Sequence, residues 1–313
     1  MKKRRLSRVF KKNSIVLVDF LFNNKVFLSS LGFLNEKLLN NKIKSVFLVY
    51  PAKKRHIGDY TFDWFSQKNK WNPFIIGLFR QKGKLGIVFA IPVGEKDFAD
   101  NSEREQLKGM VFRMEQKRKM LRAESKNFAG VLPGVLSKKD ILKDTKEGEL
   151  TVVAVFRALE ALVREEKLGE EYKIVILGGK GFIGRGLVKY LSKIKKFNKK
   201  VFAIDVDNLD KASSIFTLLK CQKVIVLNIT KKRALSEYIK FFDESTTVLN
   251  EVYPEPSIEE LAKMRQKEVK CYHIVGLKGQ VFPSFPGAYS KGVPCCASFV
   301  SCEKDDIIIR KLI

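Results

Sequence analysis

At 313 residues the chain is long enough for two domains of ordinary size, and its 45% apolar content is that of a soluble globular protein. Five cysteines without C-x-x-C pairing exclude a zinc ribbon or a small disulfide scaffold and suit a reducing cytoplasm, the expected location. The formal charge of +26 is the outlying figure, but the lysines are spread over nearly every segment rather than gathered into one stripe. No nucleic-acid-binding module accompanies them, so no specific nucleic acid is expected.

The first thirteen residues, MKKRRLSRVFKKN, and the apolar run Ser14 to Phe20 imitate a secretory signal. That run is short, holds Asp19 and lacks a small-residue cleavage site. No apolar run reaches bilayer length, while the basic start suits weak contact with anionic lipid. Residues 1–44 read as one or two short strands or amphipathic segments. Ser45 to Pro51 is a strand stopped by proline, and Gly86 to Pro92 is a second buried strand. Between them, Asp59 to Phe79 carries seven aromatic residues, a density that fills a core more often than it lines a groove. Leu107, Met110, Val111, Met114 and Leu121 keep one apolar face amid charges, which predicts a helix over Arg104 to Glu124. Phe128 to Leu136 reads as an apolar strand and glycine-bearing loop. Thr151 to Leu168 reads as a strong helix ended by Gly169, and a boundary near residue 145 divides an N-terminal α/β domain (1–145) from a second domain (146–313).

The second domain opens on the stretch with the most chemical content. Ile174 to Leu177 is a short continuous apolar run, as a parallel strand buried on both faces requires. Gly179-Lys180-Gly181-Phe182-Ile183-Gly184 follows and fits G-x-G-x-x-G. Its first glycine permits the tight turn, its second lets backbone approach a pyrophosphate, and its third lets helix pack on strand. Leu187, Val188, Leu191 and Ile194 recur at helical spacing, so a helix N-terminus with its unsatisfied N–H groups points at the phosphates. About twenty residues on, Asp205 closes the next strand, placed to accept hydrogen bonds from an adenosine ribose and to repel a 2′-phosphate. NAD is therefore favoured, with NADP left open by Lys211 and its basic neighbours. The bland alternative is that the glycines only make a tight turn and that Asp205 or Asp207 is an ordinary loop acid. Beyond it strands and helices alternate: helix 210–219, strand 223–228, helix 231–242, strand 246–250, loop 253–256, helix 257–267, strand 271–275, loop 276–281 and a last helix through 294–299. Such alternation predicts a doubly wound parallel Rossmann sheet.

Gly178 to Gly184 alone looks like the extended short-chain dehydrogenase/reductase fingerprint. That family places the nucleotide domain first and a Y-x-x-x-K pair after it, and no tyrosine beyond residue 184 has a lysine four positions on. Tyr50 and Lys54 have the spacing, similar to the N-terminal pair of methylene-tetrahydrofolate dehydrogenases, although Pro51 departs from that pattern. A smaller α/β domain followed by a dinucleotide domain resembles the shikimate dehydrogenase-like arrangement. Within it, the order of Val46 to Pro51, Lys126 to Ser137, Gly148 to Ala154, Leu249 to Pro254, Gly276 to Val281 and Pro294 to Ser298 resembles the long-chain acyl-[acyl-carrier-protein] reductases.

The resemblance implies an NAD(P)-dependent oxidoreductase acting on a small molecule or an acyl thioester, with acyl carrier protein as a partner. It implies a cysteine nucleophile where Cys295 and Cys296 stand, activated at a helix start after Pro294. Departures are evident: Val131, Leu132 and Pro133 replace the family's polar loop residues, and the threonine-rich helix entry keeps only Thr145 and Thr151. A non-catalytic nucleotide-binding or interaction protein on the same fold is the alternative. His56 and His273 are the only histidines, and His273, inside a predicted strand, reads as structural.

Overall fold

The structure, a computed structural model, describes residues 2–142, 146–169, 171–197, 200–205, 208–285, 290 and 292–313. Its first half runs α1 (Lys2–Phe22), α2 (Lys25–Lys37), β1 (Ile43–Val49), α3 (Lys54–Tyr60), α4 (Asp63–Lys68), β2 (Phe74–Gln81), β3 (Lys84–Ala90), α5 (Glu95–Ala99), α6 (Arg104–Met120), β4 (Ser125–Phe128) and α7 (Leu132–Lys138). The second half runs α8 (Lys146–Glu165), β5 (Tyr172–Leu177), α9 (Phe182–Ser192), β6 (Val201–Ile204), α10 (Leu209–Leu218), β7 (Lys223–Asn228), β8 (Thr246–Asn250), α11 (Ile258–Gln266), β9 (Lys270–Leu277), β10 (Gln280–Phe282) and β11 (Ile307–Lys311).

The chain forms two compact units, 1–147 with 279–300, and 148–278 with 301–313. The first holds a five-stranded sheet in the order β10-β2-β3-β1-β4. β1 runs parallel to β3 and β4, while β2 is antiparallel to both β3 and β10. Val46, Phe47 and Leu48 are buried on both faces of β1, which explains its unbroken apolar run. Leu107, Met110, Val111 and Met114 of α6 are buried with β1 in one core, and the buried Asn35 of α2 ties the layer together. Its amide donates to Ile43 O and Leu121 O, and its oxygen accepts the Ile43 N–H at 2.8 Å.

The second unit holds the sheet β11-β9-β8-β7-β5-β6, parallel except for β11. β5 lies between β6 and β7, so the chain winds outward in both directions from β5, and its carboxyl end is the topological switch point. The α/β class with a doubly wound Rossmann-like sheet is thus the observed one.

Several elements differ from the sequence expectation. The N-terminal segment is two helices. α1 seats Ile15, Val18 and Phe22 on the first unit at helical spacing. The expected apolar strand at 128–136 ends at Phe128, and Leu132–Lys138 is helical with proline in its first turn. The expected helix 231–242 is a pair of 3-10 turns, Ala234–Glu237 and Ile239–Phe241, which bury Leu235, Tyr238, Ile239 and Phe242 without a full helix. Residues 279–300, assigned by sequence to the second domain, belong to the first unit, because β10 pairs with the edge of β2.

Candidate functional site

β5 delivers the chain into the glycine turn at the switch point. The N–H groups of Gly178 and Gly179 both donate to Ile204 O, at 2.8 and 3.1 Å, which binds the turn to the end of β6. A side chain is excluded at Gly179, where a Cβ would lie 2.7 Å from the Ala203 Cβ. It is excluded more firmly at Gly184, where a Cβ would meet Gly178 O at 2.1 Å and Gly179 Cα at 2.9 Å, so α9 packs directly on the turn. Gly181 differs. Its backbone (φ −65°, ψ 168°) suits any residue, and the nearest atom to a built Cβ is Gly178 O at 3.1 Å.

Gly181 is also the N-cap of α9, and no side chain caps that helix. Phe182, Ile183 and Gly184 supply its first N–H groups, which have no acceptor within the helix, beside the positive end of an eleven-residue dipole. The Arg185 guanidinium donates to Lys180 O at 3.2 Å and steadies the loop from outside. A bare glycine over uncapped amides can take an anionic group at close range.

Beside the loop, a pocket of about 400 Å³ is lined by Lys180, Arg185, Lys189, Lys211, Asp205 and Asn208, with the glycine turn as its floor. Asp205 Oδ2 lies 3.8 Å from Lys180 Nζ, and its backbone oxygen accepts the Tyr238 hydroxyl at 3.1 Å. Asn208 caps α10 by accepting the Lys211 N–H at 2.9 Å. One carboxylate among four cations is a chemistry for a ribose carrying phosphate. Asp207, the other loop acid considered from sequence, lies outside the described residues.

Asn228 and Asn250 end β7 and β8, and with His273, midway along β9, they stand in register across the sheet, all buried. Asn228 Nδ2 donates to Asn250 Oδ1 at 2.6 Å, Asn250 Nδ2 lies 2.9 Å from His273 Nδ1, and Thr230 Oγ1 donates to Asn228 Oδ1 at 2.6 Å. Burial lowers the His273 pKa to about 4, so the imidazole is neutral and its Nδ1 can accept. The row is a fixed polar seam that sets the loops after β7 and β8, and His273 is structural. Glu251, one residue past the seam, has a carboxyl pushed up to about 7 by burial.

Cys295 and Cys296 lie in the first unit, not in the unit that carries the glycine loop. Cys295 is buried, while Cys296 is half-buried and packs against the core cluster of Phe47 and Phe79. The helix expected after Pro294 is a 3-10 turn of three residues, Cys295–Ala297. A single turn of three residues carries no helix dipole able to lower a thiol pKa, and Val293, Pro294, Cys295, Ala297 and Ser298 are all buried around it. Asn127 of β4 donates to Ser298 O at 2.8 Å and anchors this turn. Of the Tyr50 and Lys54 pair, the Tyr50 hydroxyl accepts the Val131 N–H at 3.0 Å and lies 3.4 Å from Glu95 Oε1. Burial foremost, then the Glu95 charge, raises its pKa far above the ordinary range. Thr145 lies outside the described residues, and Thr151 is buried on α8.

Sequence reasoning did not find the cation cluster of the pocket, the polar seam or Glu251. One signal was available: K-V-I-V-L-N and T-T-V-L-N each end a strand on asparagine, a repetition that apolar cores rarely carry without a partner.

Fold and loop together define a two-unit α/β protein with a Rossmann-like glycine turn. Residues 175–253 match the model of the 3-beta hydroxysteroid dehydrogenase/isomerase family, a span from β5 past β8 that covers the glycine turn and Asp205. No curated protein matches the sequence. Among solved structures, the chain is similar to shikimate 5-dehydrogenase from Listeria monocytogenes in complex with shikimate and NAD, at 10% identity over 74% of this chain and 86% of that one, TM-score 0.37. It is similar to a shikimate dehydrogenase in complex with NADP+, at 15% identity over 75% and 85%, TM-score 0.37. A third is L-tryptophan dehydrogenase from Nostoc punctiforme, at 12% identity over 73% and 68%, TM-score 0.33.

Proposed function

We propose that the protein is an NAD(P)-dependent oxidoreductase. The observation that carries this is the glycine turn at the switch point of a parallel sheet, with Gly181 bare over the uncapped start of α9 and Asp205 at the end of the neighbouring strand. The residues present fit a dinucleotide: α9 amides for the pyrophosphate, Asp205 and Asn208 for the ribose, and lysines for added phosphate. A bound nicotinamide supplies hydride transfer. In doubly wound sheets the ligand crosses the carboxyl ends of the strands, and there Glu251, with a pKa of about 7, is the group able to exchange a proton near neutral pH.

The finer reading is reduction of an acyl thioester through a cysteine. What supports it is the order of motifs and the placement of Cys296, which is partly rather than fully buried, on a turn anchored by Asn127. In that reading the thiolate displaces the carrier thiol to form an enzyme thioester, and delivery of hydride to its carbonyl carbon releases aldehyde and the thiolate. The deciding experiment is calorimetric titration with NADH and NADPH, followed by NADH oxidation assays on ketones, alcohol–ketone pairs and acyl thioesters. Failure to bind either dinucleotide refutes the oxidoreductase. Binding without oxidation of any substrate favours a nucleotide-binding protein that has lost the chemistry. Rapid iodoacetamide labelling of Cys296, slowed by acyl thioester, separates thioester reduction from hydride transfer to a simple carbonyl.

A further inference from the structure

Helix α1 turns a face of mixed polar and apolar residues inward. On the face that meets the first unit, the Asp19 carboxylate accepts the Ile75 N–H at 2.8 Å, Arg8 lies 3.6 Å from Asp59, and Lys11 sits 3.8 Å over the Tyr60 ring. Ile15 is buried on that same side, with Val18 and Phe22 packed on the core. The opposite face carries Val9, Phe10, Leu17, Phe20 and Leu21, and all five are exposed, Phe10 by 76% and Phe20 by 80%. At 3.6 residues per turn these positions fall within an arc of about 120°, an apolar stripe interrupted by the exposed Asn13. α2 repeats the arrangement: Val26, Phe33 and Leu34 share an outward face while Leu28 and Asn35 are buried. Scattered exposed apolar residues are ordinary, but two successive helices that each present a stripe of them are not.

The charge on this segment selects the occupant. Residues 1–38 carry nine lysines and arginines against two carboxylates, Asp19 and Glu36, and of the nine, Arg8, Lys11 and Lys12 are engaged with Asp59, Tyr60 and Phe62 of the first unit. Both acids are engaged, Asp19 inward as above and Glu36 with Arg122. A second copy of the chain would bring two such positive surfaces together, whereas the headgroups of an anionic bilayer complement them. No single described helix is long and apolar enough to cross a membrane; Arg8–Phe22 and Lys25–Lys37 reach that length and apolarity only together, across a bend of 82°, and the outward stripe on each suits lying in an interface.

We propose that α1 and α2 form an interfacial membrane-docking surface, which inserts the Phe10, Leu17 and Phe20 stripe among the acyl chains of an anionic leaflet while the basic residues meet its headgroups. This is independent of the dinucleotide reading. The test is flotation of the full chain with vesicles of phosphatidylcholine alone and of equal parts phosphatidylcholine and phosphatidylglycerol, at low and high salt. The expected result is binding to the anionic vesicles at least about tenfold tighter than to the neutral ones, weakened by salt. The double variant Phe10→Ser, Phe20→Ser and the quadruple variant Lys2→Gln, Lys3→Gln, Arg4→Gln, Arg5→Gln should each cut that binding at least about tenfold, the first with an unchanged melting temperature because its changed side chains are exposed. Absence of vesicle binding, equal binding to both compositions, or binding indifferent to the phenylalanine variant overturns the proposal. So does a concentration-dependent dimer that the phenylalanine variant abolishes in the absence of lipid, which would assign the stripe to a second copy.

Discussion

Substitution of Gly181 and of Gly184 by alanine separates what the glycine turn does for the fold from what it does for a ligand. At Gly184 the new methyl would sit 2.1 Å from Gly178 O, where ordinary contact begins near 3.4 Å, and the obstacle is backbone already held by the Gly181 N–H at 2.9 Å. α9 has to lift off the turn, an overpacking cost of about 2–3 kcal/mol. At about 2–4 °C per kcal/mol, the melting temperature should fall by roughly 5–10 °C. At Gly181 the nearest atom is 3.1 Å away and must yield only a few tenths of an ångström, on a backbone that alanine accepts. The smaller entropy of the unfolded alanine chain offsets this by about 0.4–1 kcal/mol, so stability should stay within about 1 kcal/mol of the parent. The methyl nevertheless stands over the uncapped amides of Phe182 and Ile183, where a pyrophosphate has to approach, and NADH affinity should drop at least about tenfold, or 1.4 kcal/mol. Scanning fluorimetry with and without NADH, together with calorimetric titration, reads both quantities. Unchanged affinity in Gly181→Ala refutes the phosphate cradle, and a melting temperature as low as that of Gly184→Ala shows that Gly181 too is demanded by packing.

Replacement of Asp205 by serine removes the carboxylate that would repel a 2′-phosphate and releases Lys180, leaving four cations around the pocket. The NADPH-to-NADH affinity ratio should rise at least about tenfold, and an unchanged ratio removes Asp205 from the ribose site. Glu251 and His273 make opposite contributions to stability with pH. With a folded pKa near 7, raised above that of an unfolded glutamate, Glu251 contributes stability below about pH 4.5 that is lost as pH rises through 7. His273, lowered to about 4, contributes stability above about pH 6.5 that is lost as pH falls towards 4. Between these limits the two slopes, each up to about 1.4 kcal/mol per pH unit, cancel. Glu251→Gln should therefore gain about 2–3 kcal/mol relative to the parent between pH 4.5 and 6.5 in urea melts, and a constant difference over that window refutes the assignment.

The second sheet was legible because its parallel strands are buried on both faces. Ile174 to Leu177 and Val224 to Leu227 read as unbroken apolar runs bounded by turn residues, and the turn after β5 carries a fixed glycine spacing. Less legible were elements whose partners are distant in sequence. β11 pairs antiparallel with β9 and holds only five residues, so nothing local marks it as an edge strand. β2 was read only as part of an aromatic-rich core, because Phe74, Ile75, Ile76 and Phe79 are buried without strict alternation. α1 was obscured for a different reason: its apolar residues fall on both faces, one packed and one exposed, so the pattern does not separate into a single amphipathic face. The cation cluster of the pocket was hidden in a sequence where lysine is everywhere, and the placement of α9 beside the end of β6 is what gathers Lys180, Lys189 and Lys211.

The loop at Gly276 to Val281 shows how a family-like glycine pattern can arise from packing alone. Gly276 has a φ of 133°, and it lies within β9, opposite Ile308 at the irregular point of its pairing with β11. The Lys278 N–H donates to Asp306 O at 2.6 Å, which closes the second unit at its last residue before the chain leaves it. One residue later, a Cβ on Gly279 would lie 2.6 Å from Arg80 O and 2.6 Å from Val293 Cγ2, so its bareness is what lets β10 enter beside β2. Both glycines are thus explained by neighbours within their own units, and neither needs a ligand. The same reasoning accounts for Gly179 and Gly184 through Ala203 and Gly178. It does not account for Gly181, whose backbone any residue could adopt and whose surroundings crowd a side chain only slightly. A bare residue that the fold does not demand, at the uncapped start of a helix and at the switch point of the sheet, is what a bound phosphate would require.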